Sequence, residues 1–166
     1  VGGGYAGFYT AFKLEKLLRA GEAEVTLIDP LPYMTYQPFL PEVVAGSIEA
    51  RHTVVSHRRH LKTTKIINGK MTKLDHATKT ATLDIPGLGE VQHPYDQVVL
   101  TAGAVSRTFP IPGVADNAIG LKTVEEAIEI RNRILTNFDI AANLPAGPKR
   151  DRLLTFVVVG GGFAGI

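Results

Sequence analysis

The sequence predicts an α/β fold: a parallel sheet with a small antiparallel meander set into it, followed by the first strand and turn of a second unit. Three observations predict it. Gly2-Gly3-Gly4-Tyr5-Ala6-Gly7 and Gly160-Gly161-Gly162-Phe163-Ala164-Gly165 both spell G-x-G-x-x-G. That turn seats a dinucleotide pyrophosphate on a helix N-terminus. Its first glycine allows a tight turn, its second lets the backbone approach the phosphates, and its third lets helix and strand pack closely. Between the two turns, helix-like periodicity alternates with short apolar runs, as a parallel sheet with crossovers requires.

The elements follow in order. After Gly4, Phe8, Ala11, Phe12, Leu14, Leu17 and Leu18 fall near one helical face, with Lys13, Glu15, Lys16 and Arg19 elsewhere, and Gly21 is a candidate C-cap. Val25-Thr26-Leu27-Ile28 is a strand that ends on Asp29 and is stopped by Pro30. Asp29 follows Gly7 by 22 residues, near the ~20 at which an acid takes the ribose hydroxyls. Glycine turn, helix, strand and terminal acid make one βαβ nucleotide half-site.

Residues 30 to 62 are expected to be irregular, with Pro30, Pro32, Pro38 and Pro41 interleaved with Tyr33, Tyr36 and Phe39. The aromatics suit a core better than cofactor stacking. Ile66 to Leu74, Thr80 to Ile85 and Val91 to His93 form the expected meander, with breaks at Asn68-Gly69 and Gly87-Leu88-Gly89. Gln97-Val98-Val99-Leu100 is an expected buried strand running into Thr101-Ala102-Gly103-Ala104, small residues past which a ligand can approach the backbone. Thr123 and Glu126 form a capping box for a helix to about Ala142, with Val124, Ala127, Ile128, Ile134, Leu135, Phe138 and Ala141 as its apolar stripe. Asn143 to Arg150 is the expected linker, and Leu153 to Val159 a buried strand leading into the second turn. With a strand stub before one turn and no helix after the other, the chain is expected to be an internal segment of a longer protein.

Composition removes several function classes. A hydrophobic share of 45% excludes a disordered chain, and a net charge of +2 with no broad basic stripe argues against nucleic-acid binding. Arg58-Arg59, flanked by His57, His60 and Lys62, suits a solvated face. The absence of cysteine removes disulfides and thiolate metal sites. His52, His57, His60, His76 and His93 lack metal spacing and are expected at the surface. No apolar run is long enough to span a bilayer.

The order of these features resembles the two-dinucleotide flavoproteins of the glutathione-reductase superfamily. Within it, Tyr36-Gln37-Pro38-Phe39-Leu40-Pro41-Glu42-Val43-Val44-Ala45-Gly46, the run to Arg58-Arg59-His60-Leu61, and Tyr95-Asp96-Gln97-Val98-Val99-Leu100-Thr101-Ala102-Gly103-Ala104 are similar to the type II NADH dehydrogenases. The resemblance implies a Rossmann-like FAD-binding domain over residues 1–150, incomplete here, and the truncated start of an NAD(P)H-binding domain over 151–166. It implies FAD as cofactor, NADH as substrate and a quinone as acceptor. It also implies a peripheral position on the cytoplasmic face of a membrane or in the cytoplasm, with docking through a C-terminal region outside this chain, and allows a homodimer. This segment alone is expected to be inactive.

The expected FAD contacts are Gly2, Gly3, Gly4, Tyr5, Ala6, Gly7 and Asp29. Thr101, Ala102 and Gly103 join them by backbone proximity or serve only as a strand end. Met71 offers its main chain to the adenine, or is a core methionine. Thr35, Gln37 and Pro38 lie near the flavin ring, or are loop scaffold. Gly160, Gly162 and Gly165 are the expected NADH contacts. No catalytic side chain is assigned, because the flavin carries the chemistry. A dithiol reductase would need a C-x4-C pair near residues 40 to 50, and none is there. Ferredoxin or rubredoxin reductases, and a nucleotide-binding module without turnover, stay open.

Overall fold

The computed structural model describes residues 1–106, 108 and 110–162. They divide into two compact units, 1–35 with 54–104, and 36–53 with the described residues from 105 onward.

The first unit is built on parallel pairing. Helix α1 (Tyr5–Leu17) leads to β1 (Thr26–Asp29), which pairs in parallel with β4 (Lys65–Asn68), Leu27 opposite Ile66 and Ile28 opposite Ile67. On the other side of β1, the Gly2 N–H donates to the Ile28 carbonyl at 2.8 Å. Val1 in turn is flanked by the segment 99–101: its nitrogen donates to the Val99 carbonyl and the Thr101 N–H donates to the Val1 carbonyl. That alternation is the pattern of a parallel pair. The lanes therefore run 65–68, 26–29, 1–2, 99–101, which is the 3-2-1-4 order of a dinucleotide fold with its switch point between the last two.

Both faces of β1 are covered, as a parallel sheet requires. Leu27 joins Phe8, Ala11, Met34 and Leu61 on the α1 side. Ile28 joins Ala81 and Leu83 on the other, with Ile67 of β4, Met71 and Leu74 against them. Met71, Leu74, Ala81 and Leu83 come from the antiparallel meander β5 (Lys70–Asp75), β6 (Thr80–Ile85) and β7 (Gly89–Pro94). Short strands β2 (Tyr33–Thr35) and β3 (Val54–Ser56) pair antiparallel, and α3 (His57–His60) follows. Glu15 ties α1 to the approach of β4, its carboxylate accepting N–H bonds from Lys62, Thr63 and Thr64 at 3.0, 2.8 and 2.7 Å.

In the second unit, α2 (Leu40–Ala45) packs on the long α5 (Val124–Ala142). Leu40 and Val43 are buried, as are Val124, Ala127 and Ala141. Gly46, at φ 77°, closes α2 with its N–H on the Val43 carbonyl. The Thr123–Glu126 capping box opens α5 as expected. Short helices α4 (Val114–Asn117) and α6 (Pro148–Leu153) complete the unit.

Several expectations are corrected. Residues 30–62 are not irregular: they hold β2, α2, β3 and α3, with Pro38 and Pro41 at first-turn positions that need no N–H and Pro30 and Pro32 in the loop before β2. The stretch 66–74 is two strands divided at Gly69: the first joins the parallel pair and only the second the meander. Helix α1 ends at Leu17 with Leu18 rather than Gly21 as its C-cap, and Leu17 is exposed. The linker 143–150 gives way to α6. Neither 97–100 nor 153–159 is a buried strand; Val99 and Leu100 are more than half exposed, and Val157 is 82% exposed. A buried strand needs a lane on each side, and 155–161 pairs with none among the described residues. Of the α5 stripe, Ile128, Leu135 and Phe138 are exposed.

Candidate functional site

The first glycine turn leaves the 1–2 lane and enters α1 at the switch point. Gly2 has φ 99°, and a Cβ there would collide with the Thr101 carbonyl. A Cβ on Gly7 would collide with the Gly2 carbonyl and come within 2.6 Å of Thr101 Oγ1. Gly4 differs: a Cβ there would meet nothing within 4 Å among the described residues. The first and third glycines are thus demanded by the fold itself, whereas the second opens on free space. Gly4 is also the N-cap of α1, and no side chain among the described residues caps it. A helix N-terminus presenting backbone N–H groups and a partial positive charge into open space fits a phosphate.

Almost every other polar group of the turn is engaged. Thr101 Oγ1 lies 2.9 and 2.8 Å from the Val1 and Gly2 carbonyls. The Gly3 N–H donates to Asp29 Oδ2 at 2.5 Å, and Asp29 Oδ1 accepts the Leu31 N–H at 2.7 Å. A carboxylate has about four acceptor positions, so Asp29 keeps capacity for two hydroxyl donors, as a ribose supplies. The residues present fit a dinucleotide.

The structure brings Gly2, Gly3, Gly4, Gly7, Asp29 and Thr101 together, with Tyr5 and Ala6 in the first turn of α1 and the exposed Ala102 and Gly103 following Thr101. Met71 lies on β5 with its side chain against the Ile28–Leu83 core, and the ladder shifts register between it and Lys73. Thr35 pairs with Val54 on β2. Gln37 and Pro38 belong to the second unit, where Gln37 Nε2 donates to the Lys122 carbonyl at 3.4 Å. Gly160 has φ 121°, and Gly160 and Gly162 are open, while Gly165 lies outside the described residues.

His57 is the residue that sequence reasoning missed. Expected at the surface, it is fully buried, its ring stacked on Phe8 and its Nε2 2.8 Å from the Gly3 carbonyl. A signal existed: His57 and Leu61 are four apart, one helical face, and Leu61 is an apolar core residue.

Lane order, turn and acid define a dinucleotide-binding half-domain of the Rossmann type. The family model for pyridine nucleotide-disulphide oxidoreductases matches residues 1–166. The chain belongs to that family. It is 38% identical, over its whole length and 30% of the relative, to the external alternative NAD(P)H-ubiquinone oxidoreductase B2 of Arabidopsis thaliana mitochondria. It is 31% identical, again over its whole length and 35% of the relative, to the type II NADH:quinone oxidoreductase NdhA of Mycobacterium tuberculosis. Among solved structures, NDH2 of Plasmodium falciparum in complex with NADH superposes with a TM-score of 0.77 at 26% identity, over 87% of this chain and 29% of that one. The chain spans about a third of the length of these relatives.

Proposed function

We propose that the protein carrying this chain is an FAD-dependent NADH:quinone oxidoreductase of the type II class. The observation that supports it most is the cradle at Gly4, open and uncapped where every neighbouring glycine is closed by the fold. Likeness to quinone-reducing relatives over the whole chain supports the choice of acceptor.

In this reading residues 1–150 belong to the FAD-binding domain and 151–166 open the NADH-binding domain. Gly2, Gly3 and Gly7 shape the turn, and Gly4, Tyr5 and Ala6 carry the backbone that meets the pyrophosphate. Asp29 accepts the adenosine ribose hydroxyls. Thr101 pins the turn, and Ala102 and Gly103 leave room beside it. Met71 offers main-chain atoms to the adenine, and Thr35 lies toward the flavin ring. Gly160, Gly162 and Gly165 serve NADH. The bound flavin supplies the hydride-accepting and electron-donating chemistry. This chain's residues bind and orient it.

A quinone is apolar and dissolves in the bilayer, so we place the protein on a membrane face. Peripheral docking is the proposed route; among the described residues no helix is long and apolar enough to cross a membrane. The test is spectroscopic. The purified protein should show a flavin band that NADH bleaches and a short-chain quinone restores. A protein with no flavin band, or one reoxidised only by a ferredoxin-type protein, would overturn the proposal.

A further inference from the structure

We propose that His57 is a positioning residue for the flavin pyrophosphate, acting through the Gly3 peptide. This rests on the assignment of the first glycine turn to FAD.

In the 1–2 peptide, the Val1 carbonyl accepts from Thr101 and the Gly2 N–H donates to Ile28. In the 2–3 peptide, the Gly2 carbonyl accepts from Thr101 Oγ1 and the Gly3 N–H donates to Asp29. Both peptides are held at each end. In the 3–4 peptide, the protein holds the carbonyl, and it does so through His57 Nε2. A carbonyl only accepts, so Nε2 carries the proton. Nδ1 has no partner among the described residues, which makes this bond the ring's one polar tie to them.

A trans peptide is planar, with its C=O and N–H pointing in opposite directions. Holding the Gly3 carbonyl toward His57 therefore turns the Gly4 N–H away from the imidazole. The chemistry that suits a fixed amide at a helix N-terminus is an anion, here the diphosphate of the cofactor.

The same geometry explains the glycine at position 3. Gly3 is an unspecified x of the fingerprint, yet a Cβ there would run into His57 Cε1, within 2.8 Å of Nε2 and 3.1 Å of the Asp29 Cβ. The imidazole fills the place of a side chain. Phe8, stacked at 6.0 Å, backs the ring from α1, so α3 and α1 together set the amide.

The test is FAD affinity in the protein carrying this chain, measured by flavin fluorescence on reloading the apoprotein, with NADH KM and the thermal midpoint of the apoprotein as controls. His57→Leu strands the buried Gly3 carbonyl and should weaken FAD binding about 5- to 30-fold, the equivalent of one lost buried hydrogen bond. His57→Gln, which can place an amide N–H near Nε2, should restore most of the loss, and NADH KM should not move. Gly3→Ala should weaken FAD by a similar factor, and gives a second handle should His57→Leu not fold. Wild-type affinity in both His57→Leu and Gly3→Ala, or a His57→Gln protein as weak as His57→Leu, would overturn the inference while the flavin assignment stands. A wild-type protein that takes up no FAD would overturn both.

Discussion

At Asp29 one carboxylate serves two purposes. It accepts the N–H groups of Gly3 and Leu31, and in the proposed function it also accepts ribose hydroxyls. Asp29→Ala should therefore loosen the turn and remove a ribose contact together. One charged hydrogen bond is worth ~1.5–3 kcal/mol, so FAD should be lost on gel filtration; a variant that keeps stoichiometric flavin would argue against the role. Glu15 offers a test of the scaffold. Desolvation acts to raise its pKa, but N–H donors from Lys62, Thr64 and Thr63 outweigh it and bring the carboxyl down to about 2 from 4.5. A depressed folded pKa stabilises the fold above the unfolded value, and the benefit goes as pH falls through the folded one. The stability gap between wild type and Glu15→Gln should be full above pH 4.5 and close toward pH 2 in acid titrations followed by circular dichroism, with solvent screening keeping it small. That an acid ends β1 beside the glycine turn was legible from its spacing. The burial of His57 was not, because a histidine in a basic run has the composition of a surface, and only the neighbouring core Leu61 hints otherwise.

Strand β1 shows what periodicity can deliver. Leu27 and Ile28 were legible as apolar, and alternation sends them to opposite faces, one under α1 and one under the meander. Leu83, fully buried at the centre of β6, holds the second face. Leu83→Ala should cost about 2–5 kcal/mol in chemical denaturation. Helix α5 was legible because its capping box is written in two residues. Thr123→Ala should destabilise it by about 0.5–2 kcal/mol, measurable as a lower unfolding midpoint. By contrast, Phe156-Val157-Val158-Val159 has strand composition without strand structure. Its side chains fit a pleated lane, but backbone pairing comes from neighbours rather than from composition. The division at Gly69 was half visible: an Asn-Gly break was evident, but which sheet each half joins depends on long-range pairing that periodicity does not carry.

For the molecule, two fingerprints of the same spelling are proposed to hold different dinucleotides. The sequence named the parts around the first, strand, acid, meander and small-residue turn, but not the order of the lanes, which hydrogen bonds through Val1, Ile28 and Thr101 set. Docking to a membrane face belongs to this scale too. The protein should co-sediment with membranes and be released by high salt or detergent, and one that stays in the supernatant at low salt would remove the quinone reading's route to its acceptor. The most direct measurement is a paired one, of bound flavin and its reduction by NADH in Gly4→Val and Gly162→Val. Valine at Gly4 fills the open cradle, so that variant should purify without flavin. Valine at Gly162 should leave FAD bound, with its absorbance unbleached by NADH. Flavin retained in Gly4→Val and lost in Gly162→Val would contradict the account.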